Sequence, residues 1–223
     1  MGIDLIYLFL LIPFCIYWCI NEKAGLQICI TTILCIWAVL VYRQFKENIL
    51  IGIDISWIIA LVFFGIDLLV GKKIDALLAK GGIRAYMITA SAVSFCMILY
   101  RPSYEYVYPG GILLGVCIGY YLNKRYIGFK SSDVLERKGV KKVLTLIARF
   151  VLGAALIPVV LLRVNQIIDG IIQRNGNNHY IQIYAFLCFV VIALWVSVAA
   201  PWVFIKIKLA GINTAESAEK NDN

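Results

Sequence analysis

Residues 181–205 read IQIYAFLCFVVIALWVSVAAPWVFI and contain no acidic or basic side chain. A helix that crosses the hydrocarbon core of a bilayer needs about 20 mostly apolar residues. This stretch meets the requirement, and Lys206 and Lys208 follow it, where cationic side chains suit a headgroup region. It therefore predicts a transmembrane helix.

Further apolar runs precede this stretch along most of the chain. Of the 223 residues, 62% are hydrophobic and 15% are charged, and a soluble domain of this length has no interior large enough to bury so much apolar surface. We therefore predict an all-α fold, a polytopic transmembrane helix bundle at residues 1–210, followed by a disordered polar cytoplasmic tail at residues 211–223. About seven spans are expected, near residues 3–20, 26–42, 49–71, 85–100, 110–122, 143–163 and 181–205.

Basic residues are distributed unevenly between the two sides of this predicted bundle. Of the 21 lysines and arginines, fifteen fall on one side and five on the other, with Arg149 inside a span. Because cytoplasmic loops carry the excess, we predict an outside N-terminus, a cytoplasmic C-terminus and a multi-pass protein of the cell (inner) membrane. Anionic membrane lipids, the expected partners, then explain the net charge of +8, and no nucleic acid is predicted as a partner.

The seven cysteines all lie inside apolar runs, and none forms a CxxC pair. An odd number excludes a complete set of disulfides within one chain. Cys15 and Cys19 share a helix face, but two thiols without a histidine or carboxylate beside them make a poor metal site. We therefore predict no metal ion and no other cofactor, and we interpret the thiols as small buried hydrophobic groups.

Glycines recur every fourth residue in the fifth predicted span, at Gly111, Gly115 and Gly119. This spacing places them on one face of a helix, where small residues allow another backbone to approach closely. The pattern favours helix packing within the chain. The alternative is a homo-oligomer that forms through the same glycine face.

Three informative charges, Asp54, Asp67 and Arg149, fall inside predicted spans, where a charge is costly unless it is paired or hydrated. Asp67 lies in the third span and Arg149 in the sixth, both near the cytoplasmic side. At 1.5 Å per residue their depths are similar, roughly 6 and 9 Å. We predict an intramembrane ion pair between Asp67 and Arg149 if the two spans touch.

A second set of charges lies near the outer surface. Residues 43–57 read RQFKENILIGIDISW, which places Arg43 and Lys46 shortly before Asp54, and Arg163 ends the sixth predicted span at the same surface. One interpretation is a set of interfacial anchors around a hydrated carboxylate. The other is a site for lipid phosphate, because arginine and lysine are suited to phosphate groups.

Three stretches resemble segments of the bacterial membrane-bound type 2 phosphatidic acid phosphatases. They are IPFCIYWCINEKAGLQICI at residues 12–30, GVCIGYYLNKRYIGF at residues 115–129, and ALWVSVAAPWVFIKIKLA at residues 193–210. The resemblance implies a lipid phosphatase that uses a histidine nucleophile, an aspartate that orients it, a second histidine that protonates the leaving group, and Lys and Arg residues that hold the phosphate.

The sequence departs from that pattern at the catalytic motifs. The Pro-Ser-Gly-His motif is absent, and the only histidine is His179, in a hydrophilic segment. Asp54 matches the orienting aspartate, but Leu50 occupies the position of the nucleophile. We therefore predict no catalytic residue.

Three functions remain open at this stage. The first is a non-catalytic relative of lipid phosphatases that binds lipid phosphate headgroups at the outer membrane face through Arg43, Lys46, Asp54 and Arg163. The second is a small membrane transporter or a subunit of a membrane complex. The third is an active lipid phosphatase with a rearranged site, which would need His179 as a replacement nucleophile.

Overall fold

The computed structural model describes residues 3–46, 65, 87–100, 104–136, 138–175 and 179–212. These residues are almost entirely helical. The helices are α1 (Ile3–Cys19), α2 (Glu22–Lys46), α3 (Met87–Tyr100), α4 (Tyr104–Leu122), α5 (Asp133–Glu136), α6 (Val140–Asn175), α7 (His179–Leu194) and α8 (Ala200–Lys206). Two π-helical turns continue α4 and α7, at Asn123–Ile127 and Trp195–Ala199.

Two helical stretches in the described part of the chain are long and apolar enough to cross a membrane. They are Glu22–Tyr42 and Ile181–Lys206, and α3 is a shorter apolar helix. These stretches contain the predicted spans at residues 26–42 and 181–205. The chain is thus a helical membrane protein. The predicted span at residues 49–71 lies outside the described residues, and the total of about seven spans and the orientation of the termini stay predictions.

The glycine face of α4 packs against α7 and the π-helical turn that follows it. A Cβ atom placed on Gly111 would lie 2.8 Å from the carbonyl oxygen of Phe186, and one on Gly115 would lie 2.6 Å from that of Val190. A Cβ on Gly119 would overlap the hydroxyl of Ser197. The small residues therefore permit a close approach of two helices within one chain. A homo-oligomer through this face stays a prediction, and it would use a surface that α7 already covers.

Other helices expose their apolar residues at regular spacing. On α7, Ile183, Leu187 and Val191 are all more than half exposed and lie four residues apart. On α3, Phe95 and Leu99 form a similar exposed pair. Such stripes are unfavourable against water but are solvated by acyl chains.

Helix α6 is much longer than the span predicted at residues 143–163. It has 36 residues, which corresponds to about 54 Å at 1.5 Å per residue and exceeds the hydrocarbon thickness of about 30 Å. The helix begins at Val140 and continues past Arg163 to Asn175. The segment IIDGIIQR at residues 167–174, which lies beyond the predicted span, is helical, and its isoleucines recur with helical spacing.

Two short strands join distant parts of the chain at one end of the bundle. β1 (Phe129–Lys130) pairs antiparallel with β2 (Gly211–Ile212), so that Phe129 lies opposite Ile212. Gly211 and Ile212, which were predicted to begin the disordered tail, belong to this sheet. The pairing holds the chain after α8 against the loop after α4.

Candidate functional site

Arg149 lies on α6 with its side chain completely buried. Nε and Nη2 donate to the carbonyl oxygen of Leu209 at 3.1 and 2.6 Å, and Nη1 donates to those of Trp18 at 2.8 Å and Ser131 at 3.0 Å. Nη2 also donates to Asp133 Oδ1 at 2.5 Å. A guanidinium has five N–H donors, and the five bonds match that number.

Asp133 holds the other side of this ion pair. Its Oδ2 atom accepts a hydrogen bond from the backbone N–H of Gly211 at 2.7 Å, so one carboxylate joins α5, α6 and β2. The ring of Phe129 lies 5.4 Å from the guanidinium carbon of Arg149, within the range of a cation–π contact. The predicted pair of Arg149 with Asp67 stays a prediction because Asp67 lies outside the described residues.

The turn between α1 and α2 is fixed to the loop after β1. Asn21 Oδ1 accepts hydrogen bonds from the backbone N–H groups of Lys23 and Ala24, which caps the start of α2. The backbone N–H of Glu22 donates to Ser131 Oγ at 3.1 Å, and the hydroxyl and N–H of Ser131 donate back to Glu22 Oε2. This reciprocal pair has the form of a capping box built from two distant segments.

Two aromatic residues of α1 attach that helix to the π-helical turn Trp195–Ala199. Trp18 Nε1 donates to the carbonyl oxygen of Val196 at 2.9 Å, and the Tyr17 hydroxyl donates to that of Ser197 at 3.2 Å. Tyr17 also accepts a bond from Asn123 Nδ2 at 2.7 Å. Because a π-helical turn displaces the backbone from regular α-helical bonding, its carbonyl groups can accept side-chain donors.

These contacts form one structure at one end of the bundle, which we call the polar cluster. It consists of the side chains of Tyr17, Trp18, Glu22, Asn123, Ser131, Asp133 and Arg149 with the carbonyl groups that they bind. The stretches at residues 12–30, 115–129 and 193–210, quoted above for their resemblance to one family, meet there.

The polar cluster stabilises the fold and presents no reactive group. The guanidinium of Arg149 is buried and its bonds all end on oxygen atoms of the chain, so it does not offer a donor to a ligand. Throughout the part of the chain that the structure describes, no group of three or more His, Cys, Asp or Glu residues could hold a metal ion.

An exposed aromatic and basic group lies beside the polar cluster. Arg125 Nη1 donates to the Tyr121 hydroxyl at 2.5 Å, and its guanidinium carbon lies 5.9 and 5.6 Å from the rings of Tyr121 and Tyr126. The hydrogen bond to Tyr121 raises the pKa of Arg125 above its ordinary value. The cation is therefore held between two rings and keeps its charge.

Three residues of the predicted phosphate site lie along α2 and α6, away from the polar cluster. Arg43 and Lys46 belong to the end of α2, Arg163 is exposed on α6, and His179 is the first residue of α7. Asp54 lies outside the described residues. The structure therefore places three of the four predicted residues on helices, and the site that they were predicted to form stays a prediction.

Sequence reasoning missed Asp133 as the partner of Arg149. Asp133 lies in the long hydrophilic segment between two spans, where an acidic residue is expected to be solvated. The available signal was the sequence SSD at residues 131–133, which is typical of a helix start. A buried arginine on the next helix needs a carboxylate, and this helix start supplies one.

A family model matches the part of the chain that contains most of the polar cluster. Residues 107–212 match the family model described as PAP2 superfamily phosphatase, transmembrane extension. No curated protein and no solved structure matches the chain. The matched range begins in α4 and ends at β2, and it contains Asn123, Ser131, Asp133 and Arg149. Residues 107–212 are thus similar to the transmembrane extension of the PAP2 superfamily phosphatases.

Proposed function

We propose that this protein is a non-catalytic member of the PAP2 superfamily that binds the phosphate headgroup of a membrane lipid at the outer face of the bacterial inner membrane. The observation that carries the proposal is the family match at residues 107–212 in a chain that has one histidine and no Pro-Ser-Gly-His motif. Residues 107–212 are similar to part of this phosphatase superfamily, and the histidine motif implied by the resemblance does not occur in the sequence.

The chemical argument concerns the nucleophile. In the mechanism implied by the family resemblance, an imidazole attacks phosphorus and a second one protonates the leaving group. Leu50 occupies the position of the attacking histidine, and an alkyl side chain can neither attack phosphorus nor transfer a proton. Arg43, Lys46 and Arg163 remain as cations suited to a phosphate group.

The positions of these cations along their helices support a site far from the polar cluster. Measured along α2 from Glu22, Arg43 lies about 32 Å away, and measured along α6 from Arg149, Arg163 lies about 21 Å away. Both helices pack beside α1, and both are attached to the polar cluster at their near ends. The cations thus lie on two helices whose opposite ends are held in place.

Phosphate release and lipid binding would test the proposal together. The purified chain in lipid nanodiscs is incubated with phosphatidic acid, diacylglycerol pyrophosphate and a polyprenyl pyrophosphate. We expect no release of phosphate, and weaker phosphatidic acid binding by the variant Arg43→Gln/Lys46→Gln/Arg163→Gln. The matched control is Lys23→Gln, which removes an exposed cation at the polar-cluster end and should bind as the unmodified chain does.

Two outcomes would contradict the proposal. Turnover that disappears in Asp54→Ala would mean that the chain is an active phosphatase with a rearranged site, and His179→Ala would then test the nucleophile. Unchanged phosphatidic acid binding in the triple variant would contradict a headgroup site at these three residues. It would favour a transporter or a subunit of a membrane complex.

A further inference from the structure

The first turns of α6 carry an exposed apolar stripe. Val140, Val143, Leu144 and Ile147 are 82%, 55%, 67% and 55% exposed. Their spacing of three and four residues places them on one side of the helix. Arg149 lies on the other side, buried in the polar cluster. The orientation of α6 about its axis is therefore fixed, and the stripe faces away from the bundle.

Cationic side chains flank this stripe. Lys138 and Lys141 are exposed and Lys142 is partly exposed, and the first turn of α6 has no acidic residue. Among the side chains that the structure describes, the carboxylates of Asp133 and Glu22 are engaged elsewhere, since Asp133 binds Arg149 and Glu22 binds Ser131. The surface thus combines positive charge with apolar area.

The same end of the bundle carries aromatic and cationic pairs typical of a membrane interface. Lys206 Nζ lies 5.1 Å from the ring of Trp202, which is 51% exposed. Arg125 lies between the rings of Tyr121 and Tyr126, and Tyr126 is 70% exposed. Tryptophan and tyrosine are enriched at the level of lipid headgroups, so these pairs indicate where the membrane surface crosses this end.

We propose that the start of α6 binds an anionic glycerophospholipid of the surrounding bilayer, with its phosphate near Lys138 and Lys141 and its acyl chains along Val140, Val143, Leu144 and Ile147. Charge complementarity selects an anionic headgroup, and the apolar stripe selects a ligand with acyl chains. This lipid is a separate ligand from the one proposed for the outer face, because Lys141 and Arg163 lie about 33 Å apart along α6.

Native mass spectrometry would measure this binding. The full chain is purified in detergent, a defined lipid is added, and the bound lipid is counted after the detergent is removed in the spectrometer. We expect phosphatidylglycerol to bind more tightly than phosphatidylcholine with the same acyl chains. Each lysine near a membrane surface contributes a factor of roughly five, so Lys138→Gln/Lys141→Gln should weaken phosphatidylglycerol binding about 25-fold and leave phosphatidylcholine binding unchanged. The variant Lys138→Arg/Lys141→Arg keeps the charge and should retain the preference.

The control is Lys23→Gln, which removes an exposed cation at the same end but away from the apolar stripe. It should bind phosphatidylglycerol as the unmodified chain does. Three results would each overturn the proposal: no preference for phosphatidylglycerol, equal losses in Lys23→Gln and Lys138→Gln/Lys141→Gln, or displacement of the lipid by inorganic phosphate alone. The last result would identify a site for a soluble anion.

Discussion

Arg149 and Arg163 lie on the same helix but in opposite surroundings. Arg149 is fully buried and donates to Trp18, Ser131, Asp133 and Leu209. Arg163 is exposed and lies about 21 Å further along α6. A buried arginine whose donors are all used is a structural element, whereas an exposed arginine keeps its donors for ligands. Arg149 thus acts in stability, and Arg163 is available for binding.

The largest expected effect comes from removing the buried cation. Arg149→Leu leaves the carboxylate of Asp133 and the carbonyl groups of Trp18, Ser131 and Leu209 without their donor. Breaking a buried ion pair on one side costs about 3–5 kcal/mol, so the free energy of unfolding should fall by that amount. Unfolding by sodium dodecyl sulfate in mixed micelles would measure it. An effect no larger than that of Arg163→Leu would remove the distinction between the two ends.

A smaller effect is expected at the contact of α4 with α7. In Gly115→Ala the new methyl group meets the carbonyl oxygen of Val190 and the Cβ atom of Ala193, both at 2.6 Å. Overpacking of this kind costs about 1–3 kcal/mol, visible as a lower midpoint in the same unfolding experiment. The matched control is Gly170→Ala on α6, where a Cβ meets nothing within 4 Å. Equal destabilisation of both variants would contradict the close packing.

The hydroxyl of Tyr17 tests the polar cluster through a single atom. Tyr17→Phe removes the donor to the Ser197 carbonyl and the acceptor of Asn123. Leaving a buried polar group unsatisfied costs about 1–3 kcal/mol, and we expect the lower half of that range because the ring is retained. Tyr126→Phe, at an exposed tyrosine, is the control for thermal unfolding. If the thermal unfolding midpoint of Tyr17→Phe equals that of Tyr126→Phe, the hydrogen bonds of the Tyr17 hydroxyl do not contribute to stability.

The smallest effect on stability is expected at the exposed end. Arg163→Gln should change the free energy of unfolding by less than about 0.5 kcal/mol, as exposed substitutions generally do. Its effect should appear in the affinity for phosphatidic acid, measured in nanodiscs beside Lys23→Gln. A large loss of stability in Arg163→Gln would mean that both arginines are structural, and the comparison between the ends would fail.

The helical membrane character of the fold could be predicted from sequence because apolar runs are a local signal. Residues 26–42 and 181–205 contain no acidic or basic side chain that would oppose insertion into a bilayer. The packing of Gly111, Gly115 and Gly119 against α7 uses the face that their spacing defined. The spacing of residues along a helix and the hydrophobicity of a segment are sufficient to predict such features.

The polar cluster could not be predicted because its partners are distant in sequence. Arg149 binds backbone oxygens of Trp18 and Leu209, and a carbonyl group has no signature in the sequence. Depth along a helix suggested Asp67, whose pairing with Arg149 stays a prediction, whereas the ion pair with Asp133 had no such signal. The length of α6 was also missed, because a hydropathy pattern detects the apolar part of a helix and not its polar continuation.

The bonds of Arg149 to Trp18 and to Leu209 also set an order for biosynthesis. Leu209 follows Arg149 by 60 positions, so α6 leaves the ribosome before one of its acceptors has been made. Until the end of α8 is translated, the guanidinium has to be accommodated by water, lipid headgroups or the insertion machinery. We expect chains arrested before Leu209 to remain sensitive to protease, and chains extended beyond Ile212 to become resistant in a single step.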